Sequence, residues 1–251
     1  MLPPNRAIER PRPDRRGGVF ETILIFAGRP IELDAHLARL ASSVRTLYGE
    51  EPSGLGELVL GQATGWQLGR MRLTVTPVND DGLDASVQVA GLDPRKVFPT
   101  GDYVSKLTQL RVDRGYGGHK WVDRELLARA EAEAGPGEVP LLVNEGCQVL
   151  EASRSNIFIV SRGRLLTPPL DGGILPGVAR ARVIEIAADW SVTALEQPLD
   201  LESLHAAEEV FLTNALRGVE PVSAIDGEPL RGEGPLTREM AAAMRDRWFR
   251  P

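Results

Sequence analysis

The chain has 251 residues, 42% hydrophobic and 25% charged, an ordinary balance for a globular protein with one large core or two smaller ones. A net charge of -6 argues against a general binder of nucleic acid or of anionic membrane, since there is no cationic excess to replace condensed counterions. The single cysteine, Cys147, excludes an internal disulfide, and His36, His119 and His205 lie too far apart in sequence to suggest a metal site.

Residues 1–17 are rich in Arg and Pro, lack the apolar segment of a secretory signal and read as a flexible arm. No apolar run approaches the roughly 18 residues of a membrane helix, so a cytoplasmic protein is expected. Order is predicted from Gly18. The apolar run 19–26 predicts a strand, turned at Ala27-Gly28-Arg29 into a short second strand over 30–33. Asp34 is the expected N-cap of a helix over 36–48, closed by Gly49. On that helix Leu37, Leu40, Val44 and Leu47 share one face, and Arg39 lies off it. A second helix is predicted around 55–62. Alternating strands over 70–78 and 85–89 follow, with a turn at 79–82. The aperiodic stretch 91–99 predicts a link, centred on 93–98, between a small α/β domain (18–92) and a larger one (99–251).

The second half opens on an irregular strand and the glycine-rich loop 115–118, which ends at His119-Lys120. A helix is predicted over 123–134. Strands 139–143 and 147–150 flank the hairpin signal Asn144-Glu145-Gly146, and strands 156–160 and 164–167 flank another turn. The loop 168–177 feeds a helix over 178–190. Strands over 210–213 and 219–225 and a helix over 235–249 complete a mixed α/β order with much antiparallel pairing.

Several residues carry candidate chemistry. Lys120 follows a flexible loop, and a desolvated lysine crowded by positive charge becomes a nucleophile toward an aldehyde; a surface lysine is the plain alternative. Glu151, read as the end of a strand, is placed either to hold a proton on a pyridine nitrogen or to sit in water beside Arg154. Gly177 with the amides of Val178 and Ala179 forms a helix start suited to an anion, although Pro176 is also an ordinary start signal. Arg39 could reach a phosphate with its planar fork, and Asn214 with Ala215 could bind a ligand or simply end a strand.

Taken in order, Phe20-Glu21-Thr22, the run 36–40, His119-Lys120, the run 151–158, the run 175–180 and the run 213–222 resemble the class IV aminotransferase family. That family includes branched-chain and D-amino-acid aminotransferases and aminodeoxychorismate lyase. The resemblance implies the two-domain fold type IV of pyridoxal 5′-phosphate (PLP) enzymes, a homodimer and a small-molecule amine substrate. It puts the Schiff-base lysine on Lys120, the acid facing the pyridine nitrogen on Glu151, the phosphate arginine on Arg39 and the phosphate cup on Gly177, Val178 and Ala179, with Asn214 and Ala215 at the cofactor. Where relatives often carry hydroxyls near the phosphate, this chain has Ala179 and Ala215.

Within the family the block 118–124, the run Asn214-Ala215-Leu216 and Thr22 resemble aminodeoxychorismate lyase, which releases pyruvate and para-aminobenzoate, a folate precursor. In that reading Thr22 protonates the leaving group, and Arg72, Arg111 and Arg114 are candidates for the substrate carboxylates. A D-amino-acid or branched-chain aminotransferase is the nearest alternative, and a catalytically silent binding or regulatory protein the non-enzymatic one.

Overall fold

A computed structural model describes residues 13–78, 82–97, 104–113, 115, 117–171 and 173–250. The predicted turn at 79–82 and link at 93–98 lie partly outside them, and Arg114 wholly so.

A 3-10 turn, Arg15–Gly17, is tied to the body: Tyr48 Oη donates to the Arg15 carbonyl at 2.8 Å, and the Asp14 amide donates to Asp123 Oδ2 at 3.2 Å. Strand β1 (Val19–Phe26) turns back into the two-residue β2 (Arg29–Pro30). Helix α1 (Leu33–Tyr48) starts earlier than the sequence predicts. Its N-cap is Glu32 in a left-handed conformation (φ 55°), and Asp34 falls inside the first turn, where its charge meets the helix dipole instead of capping an amide. Gly49 closes the helix at φ 75°, the left-handed cap that glycine adopts without strain. Helix α2 (Leu55–Ala63), β3 (Leu68–Pro77) and β4 (Leu83–Gly91) complete an antiparallel sheet in the order β2-β1-β3-β4. Alternation on β1 sends Val19, Ile23 and Ile25 into one core under α1 and α2, while Leu24 joins a second core with Phe158 and Phe211.

A one-turn helix α3 (Pro94–Val97) precedes the rest: β5 (Ser105–Arg111), α4 (Glu125–Ala134), β6 (Val139–Val143), β7 (Gln148–Ala152), β8 (Asn156–Ser161), β9 (Arg164–Thr167), α5 (Val178–Asp189), β10 (Ala194–Glu196), β11 (Leu199–Asp200), α6 (Leu201–Ala206), β12 (Glu209–Asn214), β13 (Gly218–Ile225), β14 (Glu228–Pro229) and α7 (Pro235–Phe249). Their sheet runs β10-β9-β8-β12-β13-β5-β6-β7-β11, with β14 on β13. The pairs β10/β9, β13/β5 and β5/β6 are parallel, and the others antiparallel.

Strands β7 and β8 have four strands between them in that order, yet a tight turn joins them and a bridge links Ala152 to Ser155. The sheet therefore curls back on itself. Its interior is filled by Leu107, Leu141, Val149, Ile157, Ile159, Leu212 and Val222, while α5 and α7 cover Phe158, Val160 and Phe211 on the outer face. The tight turn sets the last two residues of β7, Glu151 and Ala152, against Asn156 at the start of β8.

Candidate active site

Glu21 is on β1, only 1% exposed. An uncompensated carboxylate there would be costly, and three donors compensate it. Arg39 on α1 donates from Nε to Oε1 at 2.7 Å and from Nη2 to Oε2 at 2.6 Å. His36 Nδ1 lies 2.7 Å from Oε2 and, facing an acceptor-only group, carries the proton. Burial alone would push the Glu21 carboxyl up; the charge of Arg39 and the His36 hydrogen bond outweigh it and hold the group down at about 2. Arg39 Nη1 donates across to the Pro176 carbonyl at 2.9 Å, which ties α1 to the segment that opens α5.

Lys120 lies beside the same strand. Its carbonyl accepts from the Phe20 amide at 2.9 Å, Trp121 bridges to Val19, and Nζ sits 4.9 Å from the centre of the Phe20 ring. Burial and the charges of Arg39 and Arg124 push the ammonium down to about 7, against the opposing pull of Glu21 and Glu151. A lysine so placed holds a large fraction of neutral amine at neutral pH, as a nucleophile toward an aldehyde must. The glycine loop that delivers it packs closely on the loop before α5: a Cβ on Gly115 would stand 1.5 Å from the Gly173 carbonyl oxygen.

Glu151 lies within β7 rather than at its end, because the strand continues to Ala152. It is 6% exposed, and burial pushes its carboxyl up to about 8 despite the hydrogen bond from Leu175 and the nearby cations. Oε2 accepts from the Leu175 amide and from Asn156 Nδ2, both at 3.2 Å, and Asn156 Nδ2 also donates to the Leu175 carbonyl at 2.9 Å. Two residues on, Gly177 is the N-cap of α5 and supplies no side-chain cap; none of the first-turn residues is acidic. The amides of Val178 and Ala179 thus begin a twelve-residue helix with its positive end uncompensated by side chains.

The structure gathers Lys120, Arg39, Glu151 and the 177–179 helix start around one site. Thr22 shares its strand face with Phe20 and stands opposite Arg72 on β3. Arg72 Cζ lies 3.9 Å from the Phe20 ring centre. Asn214 is committed to its own turn: Oδ1 accepts from the Leu216 and Arg217 amides, and Nδ2 donates to Glu220 Oε2 at 2.6 Å, with Ala215 beside it. Arg111 is exposed at the end of β5, its Nη2 3.5 Å from Cys147 Sγ, and touches none of these groups.

Four residues went unremarked as site groups in the sequence: Glu21, His36, Arg124 and Asn156. Arg124 Cζ stands 5.7 Å from the Phe20 ring centre and Nη2 donates to the Ser153 carbonyl at 3.4 Å. Its spacing of four from Lys120, on the way into α4, was the available signal.

Residues 18–225 match the amino-transferase class IV family. The chain belongs to that family. A Methanocaldococcus jannaschii protein provisionally named a branched-chain-amino-acid aminotransferase is 30% identical over 91% of this chain and 86% of its own. Among solved structures, 4-amino-4-deoxychorismate lyase from Pseudomonas aeruginosa is 28% identical with a TM-score of 0.79, covering 96% of both chains. Branched-chain aminotransferase from Thermoproteus uzoniensis is also 28% identical, with a TM-score of 0.78 over 91% of this chain and 84% of that one.

Class IV aminotransferases are PLP-dependent enzymes. The residues present fit that cofactor: an amine with a lowered pKa for the aldehyde, a buried acid for the ring nitrogen, and a helix start beside Arg39 for the phosphate. The Thr213 hydroxyl, on the strand that pairs with Asn156, is buried with no hydrogen-bond partner among the described residues, so polar capacity remains there.

Proposed function

We propose that this class IV enzyme is a PLP-dependent lyase that converts aminodeoxychorismate to para-aminobenzoate and pyruvate. The observation that carries the reading is the clustering of Arg72 and Arg124 on Phe20 next to Lys120. With Arg39 committed to Glu21 and the α5 side, these two guanidiniums form a second cationic group, suited to an amine with two carboxylates. A branched-chain amino acid has one carboxylate and an apolar side chain, and brings no second carboxylate to this pair of cations. The likeness to the Pseudomonas aeruginosa lyase supports the same reading. A branched-chain aminotransferase is the second reading, favoured by the name of the 30%-identical archaeal relative.

When bound, PLP supplies an electron sink for negative charge at the amine-bearing carbon. Lys120, neutral in good part near pH 7, removes the proton from that carbon. Glu151 keeps a proton on the ring nitrogen. Arg39 and the 178–179 amides hold the phosphate, while Arg72 and Arg124 hold the carboxylates. The bond from the ring to the enolpyruvyl oxygen then breaks, and Thr22, on the Phe20 face, donates the proton with which pyruvate departs. The ring is left aromatic. From the family likeness we also propose a homodimer, to be read by sedimentation.

The test is a coupled assay: purified protein with PLP is given aminodeoxychorismate, and both products are followed. Equal yields, absent in Lys120→Ala, are expected. Transfer of amino groups from branched-chain amino acids to 2-oxoglutarate, with no para-aminobenzoate formed, would replace the lyase by the aminotransferase.

A further inference from the structure

Asn156 opens β8, is 4% exposed, and lies where the curled sheet meets itself. Both N–H groups of its amide are used, one on Glu151 Oε2 at 3.2 Å and one on the Leu175 carbonyl at 2.9 Å. The Leu175 amide returns to the same Glu151 oxygen at 3.2 Å, so acid, amide and loop backbone form a closed ring of hydrogen bonds. That ring occupies Oε2 twice and leaves Oε1 for another partner. On its other side the Asn156 oxygen presses on the α5 start: a Cβ on Gly177 would lie 2.0 Å from Oδ1. One side chain thus contacts the acid at one end of the site and the helix N-cap at the other. The three side chains nearest in shape or chemistry do not reproduce this geometry. Aspartate would bring an acceptor to Glu151 where a donor is needed, serine is too short to reach both acceptors, and glutamine would drive its extra methylene into Gly177.

We propose that Asn156 is a positioning residue that fixes both ends of the cofactor site, aiming Glu151 at the ring nitrogen and the α5 start at the phosphate. It rests on the assignment of those two groups made above. Its effect travels through Glu151 and through α5, and Asn156 itself need not touch the cofactor.

The test titrates the cofactor-free, full-length chain with three probes: PLP, pyridoxal, which lacks the phosphate, and 1-deaza-pyridoxal 5′-phosphate, which lacks the ring nitrogen. The unaltered chain is expected to prefer PLP to both analogues. Asn156→Ala is expected to weaken PLP by about tenfold, the scale of one hydrogen bond, and to weaken each analogue by less, because each has already lost one of the two interactions. Asn156→Asp keeps the shape and should show the same pattern if the alanine variant does not fold. Equal losses on all three probes would reduce Asn156 to a general packing role and overturn the inference. Equal affinity of the unaltered chain for PLP and its deaza analogue would instead remove Glu151 from the ring nitrogen, and the reading of the site would fall first, taking the inference with it.

Discussion

The carboxylate of Glu21 grips the guanidinium of Arg39 through both oxygens, at 2.7 and 2.6 Å, on an almost fully buried strand residue. Three of the five N–H groups of Arg39 are thereby fixed, counting the one on Pro176, and the fork keeps its direction relative to the start of α5. The same carboxylate keeps the charge of Arg39 from acting on Lys120 alone.

Removing that carboxylate should be expensive and pH-dependent. The folded group titrates at about 2 against an ordinary 4.5, so the unfolded chain binds more protons between those values. The stability it contributes is complete above pH 4.5 and lost as the pH falls toward 2. Glu21→Gln should cost about 3 kcal/mol at pH 7, as breaking a buried pair does, and should flatten the acid limb of the stability curve. Urea unfolding at pH 7 and at steps from 5 to 2 measures both effects, and an unchanged acid limb would contradict the depressed value.

Lys120 and Glu151 give the opposite pair of slopes. Glu151 is raised from 4.5 to about 8, so the folded state binds the extra proton and stability falls as pH rises across that window. Lys120 is lowered from 10.5 to about 7, so the unfolded state binds the extra proton and stability climbs from about 7 to 10.5. The cofactor-free protein should therefore have a stability minimum near pH 7–8. Thermal unfolding across pH 5 to 10 tests this, and Glu151→Gln should remove the descending limb. The rate of PLP capture by the free chain should rise with pH and level off above about 7 rather than above 10, following the neutral amine.

Much of this architecture is legible from residue patterns, and the exceptions have physical causes. The apolar run of β1 and the one-sided apolar face of α1 are enough to read those two elements, and Gly49 and Gly177 mark the end of α1 and the start of α5. Strands of two or three residues, such as β10 and β11, offer no period to detect. The start of α1 departs from the residue pattern because Asp34 has the chemistry of a cap, whereas the turn leaving β2 puts Glu32 in the capping place. The Lys120 and Glu151 assignments rest on six motifs taken in order along the chain, since each motif alone fits a surface lysine or a solvated glutamate equally well. The Glu21 pair and the Phe20 cluster join residues 15 to more than 100 positions apart, and the Asn156 ring closes only through Leu175, 19 positions on, so no local pattern encodes them.

Arg72 and Arg124 should act on substrate rather than on cofactor. Each N–H pair given to a carboxylate is a charge-assisted contact, so Arg72→Gln and Arg124→Gln should each reduce kcat/KM for the lyase substrate by roughly 10- to 100-fold while the affinity for PLP stays within about twofold. Arg111→Gln, outside the site, is the control and should leave both unchanged. Steady-state kinetics with PLP titrations at about pH 9, where losing the Arg124 charge no longer starves Lys120 of neutral amine, separates the cases: a fall in PLP affinity there in either variant would move that arginine to the cofactor.

The glycine at the head of α5 should tolerate no side chain, for a steric reason and not a conformational one. Gly177 has φ -67° and ψ 135°, extended values that alanine adopts freely. The obstacle is the neighbour, since the added Cβ would stand 2.0 Å from Asn156 Oδ1 and 3.2 Å from its Cγ. Either Asn156 gives up its hold on Glu151 and Leu175, or the helix start withdraws. Both routes lead to overpacking costs of about 1–3 kcal/mol and to weaker PLP binding. Gly118, two residues before Lys120, meets nothing within 4 Å of an added Cβ, so Gly118→Ala should change stability by no more than about 0.5 kcal/mol. Thermal unfolding and PLP titration of the two variants side by side make the comparison. If Gly177→Ala behaved like Gly118→Ala, Asn156 would have room to move aside, and the tight packing between the acid and the helix start would be wrong.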